Sequence, residues 1–240
     1  MNADALILSF DTATNNCSIA VTAGEIPNGR VLGSVSFDSG VTHSRRLLGA
    51  IARLLRSLDL EIEDMAAVAV GVGPGSFTGL RIGMATAKGL CHGTGIPLIG
   101  ISSLDALAAS IVSDRLIAVV MDARKKEVYS CFYRTRSDGT ISRCSEPTVL
   151  SPQELVKQMS EPVTMAGDGV HVYNDIFRSA LGDTADIRAH NQWPDAVQVG
   201  YLAAAAFNRR EYHDIHDAKP EYVRSSDAQL SLVSPLDREQ

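Results

Sequence analysis

The chain has 240 residues, a formal net charge of −6, 45% apolar residues and 21% charged residues. This length suits one large domain or two lobes of about 110 residues each, with enough apolar material for a packed core. An acidic chain is a poor solitary binder of nucleic acid, because lysine and arginine contacts with phosphate supply most of that affinity.

Targeting signals and redox motifs are missing from the sequence. Residues 1–4 carry no basic segment of the kind that opens a signal peptide. No apolar run approaches the ~20 residues that a membrane-spanning helix needs. Cys17, Cys91, Cys131 and Cys144 form no Cys-x-x-Cys pair, which is typical of inert thiols in a reducing compartment. We therefore expect a cytoplasmic protein without membrane contact.

Two similar β-hairpins are predicted, one in each half of the chain. Each has an apolar strand that ends in Asp, a polar turn and a return strand. The segments are 6–10, Asp11 and 17–22 in the first hairpin, and 116–121, Asp122 and 127–133 in the second. The sixth residue after each Asp, Cys17 or Val128, lies in the return strand. Internal duplication and chance similarity of two hairpins both remain open.

The region between the hairpins predicts two helices around a buried strand. Residues 43–58 place Leu47, Ile51, Leu54 and Leu58 on one amphipathic stripe. Residues 65–72 read as a buried strand. After the break at 73–76, Ser76 can cap a second helix that runs to about His92.

The second helix has small residues at every fourth position. Gly79, Gly83 and Ala87 follow this spacing, with Cys91 one step further. An interior Gly costs ~1 kcal/mol relative to Ala, so a close backbone approach is the expected compensation. Two alternatives remain open, packing on the protein's own sheet or first helix and packing on a partner.

The remaining elements complete the first lobe and form a second. Strands are predicted at 97–101 and 163–166, and helices at 170–181 and 196–207. Ser102 or Ser103 caps a short helix, and Ser151 with Glu154 forms a capping box. We expect an N-terminal lobe at 1–103, a C-terminal lobe at 104–224 and a polar tail at 225–240.

Sequence motifs for cofactor, metal and nucleophilic chemistry are incomplete. The loop from Gly73 lacks the third glycine of a dinucleotide fingerprint, where Thr78 stands, and Pro74 breaks a nucleophile elbow around Ser76. The residue four after His43 is Leu47, so no His-x-x-x-His pair forms there. We expect no metal, no cofactor and no catalytic residue.

The acids at the two hairpins resemble those that position Mg²⁺ in sugar kinases, actin and heat-shock ATPases. In those proteins glycines in the turns let backbone amides reach phosphates, and both turns here lack glycine. We therefore predict at most a vestigial ligand site, formed by Asp11, Thr12, Asp122 and Arg124.

Several motifs together resemble the bacterial TsaB (YeaZ) family, often labelled glycoprotease-like. They are Asp11-Thr12, His43-Ser44, the block at 73–83 (Gly-Pro-Gly-Ser-Phe-Thr-Gly-Leu-Arg-Ile-Gly), Lys88-Gly89, Ser103-Leu104, Asp122-Ala123-Arg124, Glu127-Val128-Tyr129 and 220–224 (Pro-Glu-Tyr-Val-Arg). The resemblance covers nearly the whole chain. It implies an α/β fold of two related lobes, actin-like and ribonuclease-H-like (ASKHA), with a duplicated hairpin.

The resemblance also implies a function in tRNA modification. In that pathway TsaD transfers a threonylcarbamoyl group from threonylcarbamoyl-AMP to N6 of the adenosine beside the anticodon. TsaB is expected to be its non-catalytic scaffold, joined by the small ATPase TsaE, with tRNA held only indirectly through the complex. A homodimer is expected when TsaD is absent. The alternatives are a nucleotide-binding enzyme of the ATPase or kinase class and, with less support, a peptidase.

The implied partner interface lies on the two N-lobe helices. Its predicted residues are His43, Leu47, Leu48, Ile51, Leu54, Gly79, Leu80, Gly83 and Ala87. Two positions depart from the family pattern. Arg45 stands where many relatives have an acid, and Ala13 stands where a second hydroxyl residue is common.

Overall fold

The structure is a computed structural model that describes residues 5–38, 43–190 and 192–223, without the side chains of 43–45. The polar tail predicted at 225–240 lies outside the described residues, as does the side chain of His43. No helix in these ranges is long and apolar enough to cross a membrane.

The first lobe is a five-stranded sheet with helices on both faces. Its strands and helices are β1 (Leu6–Asp11), β2 (Asn16–Ala23), β3 (Arg30–Asp38), α1 (His43–Ser57), β4 (Ala67–Gly73), α2 (Phe77–Thr94), β5 (Leu98–Ser102) and α3 (Ser103–Ala109). Ser76 caps α2 as predicted, because its side chain accepts a hydrogen bond from the Gly79 amide at 3.2 Å.

The second lobe is built in the same way. Its elements are β6 (Leu116–Asp122), β7 (Val128–Thr135), β8 (Ile141–Arg143), β9 (Thr148–Leu150), α4 (Pro152–Lys157), β10 (Val163–Ala166), α5 (Asp168–Val172), α6 (Asn174–Leu181), β11 (Ala185–Ile187) and α7 (Ala196–Asn208). The capping box of Ser151 and Glu154 is confirmed. The helix predicted at 170–181 begins at Asp168 and is interrupted at Tyr173.

The two sheets share a five-strand topology, to which the second sheet adds β9, paired with β7. The strand orders are β3-β2-β1-β4-β5 and, read in the same sense, β8-β7-β6-β10-β11. In each sheet the central strand pairs antiparallel with its hairpin partner and parallel with a later strand, β4 or β10. This repeat confirms a two-lobed α/β protein with the actin-like, ribonuclease-H-like fold.

Helix α7 packs on the first sheet although it follows the second sheet in the chain. Val199 and Ala203 of α7 pack against Ile7 and Ile99 on one face of the first sheet. Helices α1 and α2 cover the opposite face. The lobe boundary predicted at residue 103 stays a prediction, and the first sheet takes part of its cover from the region assigned to the second lobe.

A shared apolar cluster joins the two lobes. Ala13 and Leu80 of the first lobe pack with Leu104 of α3 and with Val119 and Met121 of β6. Each of these residues is at most 2% exposed. The lobes are therefore held together by a continuous core beneath the cleft that separates their outer parts.

Candidate functional site

The turn of the first hairpin buries its acid. Asp11 is 1% exposed. Its two carboxylate oxygens accept hydrogen bonds from the Ala13 amide at 2.7 Å and from the Ser103 hydroxyl at 2.6 Å. Burial raises the pKa of Asp11 to about 6, and the Ser103 and Ala13 hydrogen bonds oppose that rise. Both oxygens are thus engaged by the protein itself.

Glycines of α2 and its preceding loop allow this close packing. The Thr12 hydroxyl donates to the Gly79 carbonyl at 2.8 Å. A Cβ at Gly79 would collide with the Thr12 carbonyl oxygen, and a Cβ at Gly83 would lie 2.5 Å from the Thr12 hydroxyl. A Cβ at Gly75 would likewise collide with the Ala13 carbonyl. The start of α2 therefore seals Thr12 from solvent, whereas Asn15 of the same turn is exposed.

Most of the predicted interface residues are buried within the chain, and one is exposed to solvent. The stripe Gly79, Gly83 and Ala87 packs on the protein's own first hairpin and sheet, which is the first of the two alternatives left by the sequence. Leu47, Ile51, Leu54 and Leu80 are also buried within the chain. Of these seven residues, Ile51 lines a groove between α1 and α2, and the role of all seven in an interface stays a prediction. Of the predicted set with a described side chain, Leu48 is exposed, at 54%.

A second stripe of small residues lies on the outer face of α2. Ala85, Gly89 and Gly93 recur at the same four-residue spacing and are exposed. A Cβ at Gly89 or Gly93 would meet no atom within 4 Å. Sequence reasoning missed this stripe, although its spacing was the available signal.

A groove runs beside this stripe, between α1 and α2. It has a volume of ≈ 240 Å³ and is lined by Leu48, Ile51, Ala52, Leu55, Arg56, Leu60, Glu61, Ile62 and Leu90. The lining is mostly apolar, with Arg56 and Glu61 at the rim. The outer face of α1 and α2, meaning Leu48, Ala85, Gly89, Gly93 and this groove, can receive another helix at close range.

The turn of the second hairpin stays open to solvent. The Asp122 carboxylate accepts the Arg124 amide at 2.9 Å and lies 3.6 Å from the Arg124 guanidinium. The Asp122 side chain is 12% exposed and that of Arg124 is 75% exposed. Arg124, Lys125 and Lys126 have φ of 62, 52 and 64°, the left-handed conformation that side chains disfavour.

An inter-lobe cleft of ≈ 340 Å³ lies beside this turn. It is lined by Ala13, Thr14, Asn15, Gly75, Ser76, Phe77, Met121, Asp122, Ala123, Arg124, Lys125, Tyr129 and Asp168. Asp168 accepts the Asp122 amide at 2.9 Å, and burial raises the pKa of its carboxyl. Of the four predicted vestigial ligand residues, Asp122 and Arg124 line the cleft, whereas Asp11 and Thr12 do not.

Metal ligands are not assembled in the described ranges. There, no group of three or more His, Cys, Asp or Glu side chains could hold a metal ion. His213, one of the histidines of the chain, contributes to the packing of the first sheet. Its ring nitrogen accepts the Gly100 amide at 3.2 Å, and its backbone forms a β-bridge with Leu98.

Comparisons with known proteins identify the family. The family model described as TsaD, tRNA N6-adenosine threonylcarbamoyltransferase, matches residues 38–232. The Escherichia coli tRNA threonylcarbamoyladenosine biosynthesis protein TsaB is 30% identical, over 94% of this chain and 97% of that protein. The chain belongs to the TsaB (YeaZ) family. Bacillus subtilis TsaB is 28% identical over 95% of this chain and 97% of its own length.

A solved structure and a longer bacterial protein show the same similarity. The structure of YeaZ from Pseudomonas aeruginosa superposes with a TM-score of 0.74 at 27% identity, covering 91% of this chain and 99% of that one. An uncharacterized protein of Mycobacterium leprae is 36% identical over 97% of this chain, which spans 61% of that longer relative.

Proposed function

We propose that this chain is a non-catalytic subunit that binds a TsaD-type transferase in the formation of threonylcarbamoyladenosine in tRNA. Its relatives' names and the TsaD family match support the pathway. The observation that carries the binding role is the outer face of α1 and α2, with its apolar groove and small-residue stripe.

This outer face suits a helical partner better than a small molecule. Gly89 and Gly93 present no side chain, so a second helix can approach α2 closely. Leu48 is 54% exposed beside the groove, and an exposed large apolar residue at a rimmed groove is typical of protein contacts. The partner in this proposal is TsaD, with TsaE joining the complex and self-association of this chain when TsaD is absent.

The sealed first hairpin supports the non-catalytic part of the proposal. A carboxylate that positions a metal or a water needs a free oxygen facing the cleft. Both oxygens of Asp11 accept hydrogen bonds within the protein, and Asp11 does not line the cleft. The net charge of −6 supports a complex in which the partner supplies most of the tRNA contact.

The test is light scattering after size-exclusion chromatography, with this protein alone and mixed with its cognate TsaD. We expect a 1:1 complex for the wild type. Gly89→Leu should abolish it, because the leucine projects from the outer face without touching the rest of the chain. Gly83→Leu is unsuitable here, since it would clash with Thr12 and disturb the fold.

Ser179→Leu is the matched control, because Ser179 is an exposed helical residue on α6 in the second lobe. This variant should bind TsaD as the wild type does. A complex that forms equally well with Gly89→Leu would exclude the outer face of α1 and α2 as the interface.

A second candidate is a nucleotide-binding enzyme of the actin-like class. The observation in its favour is the inter-lobe cleft, where Asp122 and Asp168 lie near Arg124 and Lys125. Calorimetry of the isolated protein with MgATP decides between the two. Tight MgATP binding that is lost in Asp122→Asn would favour the nucleotide-binding enzyme. The absence of any heat of MgATP binding would favour the non-catalytic subunit.

A further inference from the structure

The N-terminal end of α2 carries a cluster of exposed aromatic and basic side chains. Phe77 and Tyr222 are 39% and 44% exposed, and their ring centroids lie 5.3 Å apart. The Arg81 guanidinium stacks 3.8 Å above the Phe77 ring, and its Nε donates to the Tyr222 hydroxyl at 3.3 Å. These three residues are called the Arg81 cluster below.

The chain segment before Tyr222 holds this cluster in place. The Glu221 amide donates to the Val72 carbonyl at 2.8 Å, and Ala218 is buried in the core of the first sheet. The Arg81 guanidinium is therefore oriented by one ring face and one hydroxyl. Its two terminal nitrogens remain available, because its hydrogen bond to Tyr222 uses Nε alone.

Arg81 has no acidic partner in the part of the chain that the structure describes. No carboxylate there lies within ion-pair distance of it. Neither α1 nor α2 contains Asp or Glu, whereas α2 also carries Lys88 and His92. The Arg81 guanidinium is exposed and already oriented by its neighbours. It therefore loses little conformational freedom when it binds a carboxylate.

Arg81 is continuous with the outer face of α1 and α2. Phe77, Arg81, Ala85, Gly89 and Gly93 follow one another at four-residue spacing, and all five are exposed. Each four-residue step rotates by about 40° around a helix of 3.6 residues per turn, so neighbouring members of this series, Arg81 and Ala85 among them, form one ridge on the helix surface. A partner helix that uses the small residues at one end therefore reaches the guanidinium at the other.

We infer that Arg81 receives a carboxylate side chain, Asp or Glu, from the protein that docks along the outer face of α2. This inference rests on the proposed function and specifies the chemistry of the partner. A planar guanidinium with two free nitrogens matches a carboxylate in a bidentate pair. The partner is thus a helix with an acid near the Phe77 end of α2.

Two other occupants fit the observations less well. An RNA phosphate would also pair with Arg81, but the adjoining groove is lined mostly by apolar side chains such as Leu48 and Leu90, which RNA does not need. A second copy that presented the same two helices would bring no carboxylate from either helix. Charge complementarity therefore favours a different protein with an acidic face.

The experiment measures the dissociation constant for cognate TsaD by calorimetry with four forms of this protein. We expect Arg81→Glu to weaken binding by about 100-fold and Arg81→Lys by about 10-fold, because lysine keeps the charge but not the bidentate geometry. Arg136→Glu is the control. Arg136 is exposed in the second lobe, so this variant should bind within about twofold of the wild type.

A charge exchange then identifies the acid. Lysine is introduced singly at each Asp and Glu on the TsaD surface that docks here, and one such variant should bind Arg81→Glu better than it binds the wild type. Thermal unfolding of each variant confirms that it is folded.

The remaining outcomes overturn the inference in separable ways. Equal binding by the wild type and Arg81→Glu would remove the carboxylate contact and leave the proposed function intact. No binding by the wild type would remove both. Arg81→Glu that lowers affinity for isolated tRNA, or that abolishes only self-association, would assign the cluster to RNA or to a second copy.

Discussion

The two hairpins begin from one pattern and end in opposite environments. Asp11 pairs with Ser18 across the first hairpin, and Asp122 pairs with Val128 across the second. Asp11 is buried against Ser103 and Gly71, with α2 packed on the turn that follows it, whereas Asp122 lines the cleft between the lobes. Both hairpins have the same strand with an acid at its end, so the strand does not determine whether the acid is buried.

The elements that pack against each hairpin determine whether its acid is buried. Gly75, Gly79 and Gly83 allow the start of α2 to touch the backbone of the first turn. At the second hairpin the start of α5 packs on the end of β6, where a Cβ at Gly167 would collide with the Val120 carbonyl. The turn itself stays exposed, and Arg124 and Lys125 line the cleft in the left-handed conformation. Two similar hairpins can thus differ in exposure because different elements pack against them.

The largest expected effect comes from breaking the seal of the first hairpin. Gly79→Ala places a methyl group against the Thr12 carbonyl, so we expect a loss of about 3 kcal/mol or more in the free energy of unfolding. Urea denaturation measures it. Gly89→Ala on the same helix meets open space and should stabilise the protein by about 0.5–1 kcal/mol. Equal effects at the two positions would contradict the sealed turn.

The buried acid of the first hairpin should make the stability of the protein depend on pH. Because burial raises the folded pKa of Asp11 from 3.8 to about 6, the folded state holds a proton between these values that the unfolded chain has released. The free energy of unfolding therefore falls as pH rises from 4 to 6. Relative to the wild type, Asp11→Asn should gain about 3 kcal/mol between pH 3 and pH 8.

Urea denaturation of both proteins across this pH range gives the difference curve. Asp183→Asn is the control, because Asp183 is an exposed acid in the second lobe. A flat difference curve for Asp11→Asn would show that the buried carboxyl is not the titrating group.

A smaller effect is expected from removing the donor to Asp11. Ser103→Ala leaves the Asp11 Oδ2 atom buried without its hydrogen bond of 2.6 Å, which should cost about 1–3 kcal/mol at pH 8. The same change should raise the pKa of Asp11 further, because the Ser103 hydrogen bond lowers it. Combining Ser103→Ala with Asp11→Asn measures the coupling. Strict additivity of the two changes would contradict a direct contact.

The smallest effect is expected at the open hairpin. Arg124→Ala removes an exposed side chain whose guanidinium lies 3.6 Å from Asp122, and such surface pairs contribute little. We expect a change below about 0.5 kcal/mol in thermal or urea unfolding. A loss comparable to that of Ser103→Ala would mean that the second hairpin is structural after all.

Much of this architecture could be predicted from local sequence. Apolar runs ending in Asp11 and Asp122 located both hairpins, and Ser76, Ser151 and Glu154 marked helix starts. Strands β3, β8, β9 and β11 were not predicted. They are short, or lie at the sheet edge with alternating exposure, so their apolar signal is weak.

The candidate site was harder to predict, because α2 has two small-residue stripes with the same spacing. Gly79 and Gly83 face the first hairpin, while Gly89 and Gly93 face outward. Nothing in the spacing tells which stripe is buried, since that depends on Thr12, far away in sequence. The hydrogen bond between Arg81 and Tyr222 could not be predicted from the sequence either, because the two residues are distant in sequence and meet only in the folded protein.

The late return of α7 has a consequence for synthesis on the ribosome. The first sheet is complete in sequence at Ser102, but the helix that covers one of its faces begins only at Ala196. At ~5–20 residues/s, the interval between them lasts on the order of 5–20 s. During that time Ile7 and Ile99 lack their final packing partner. We therefore expect the nascent N-terminal half to expose an apolar surface that chaperones can bind until translation nears its end.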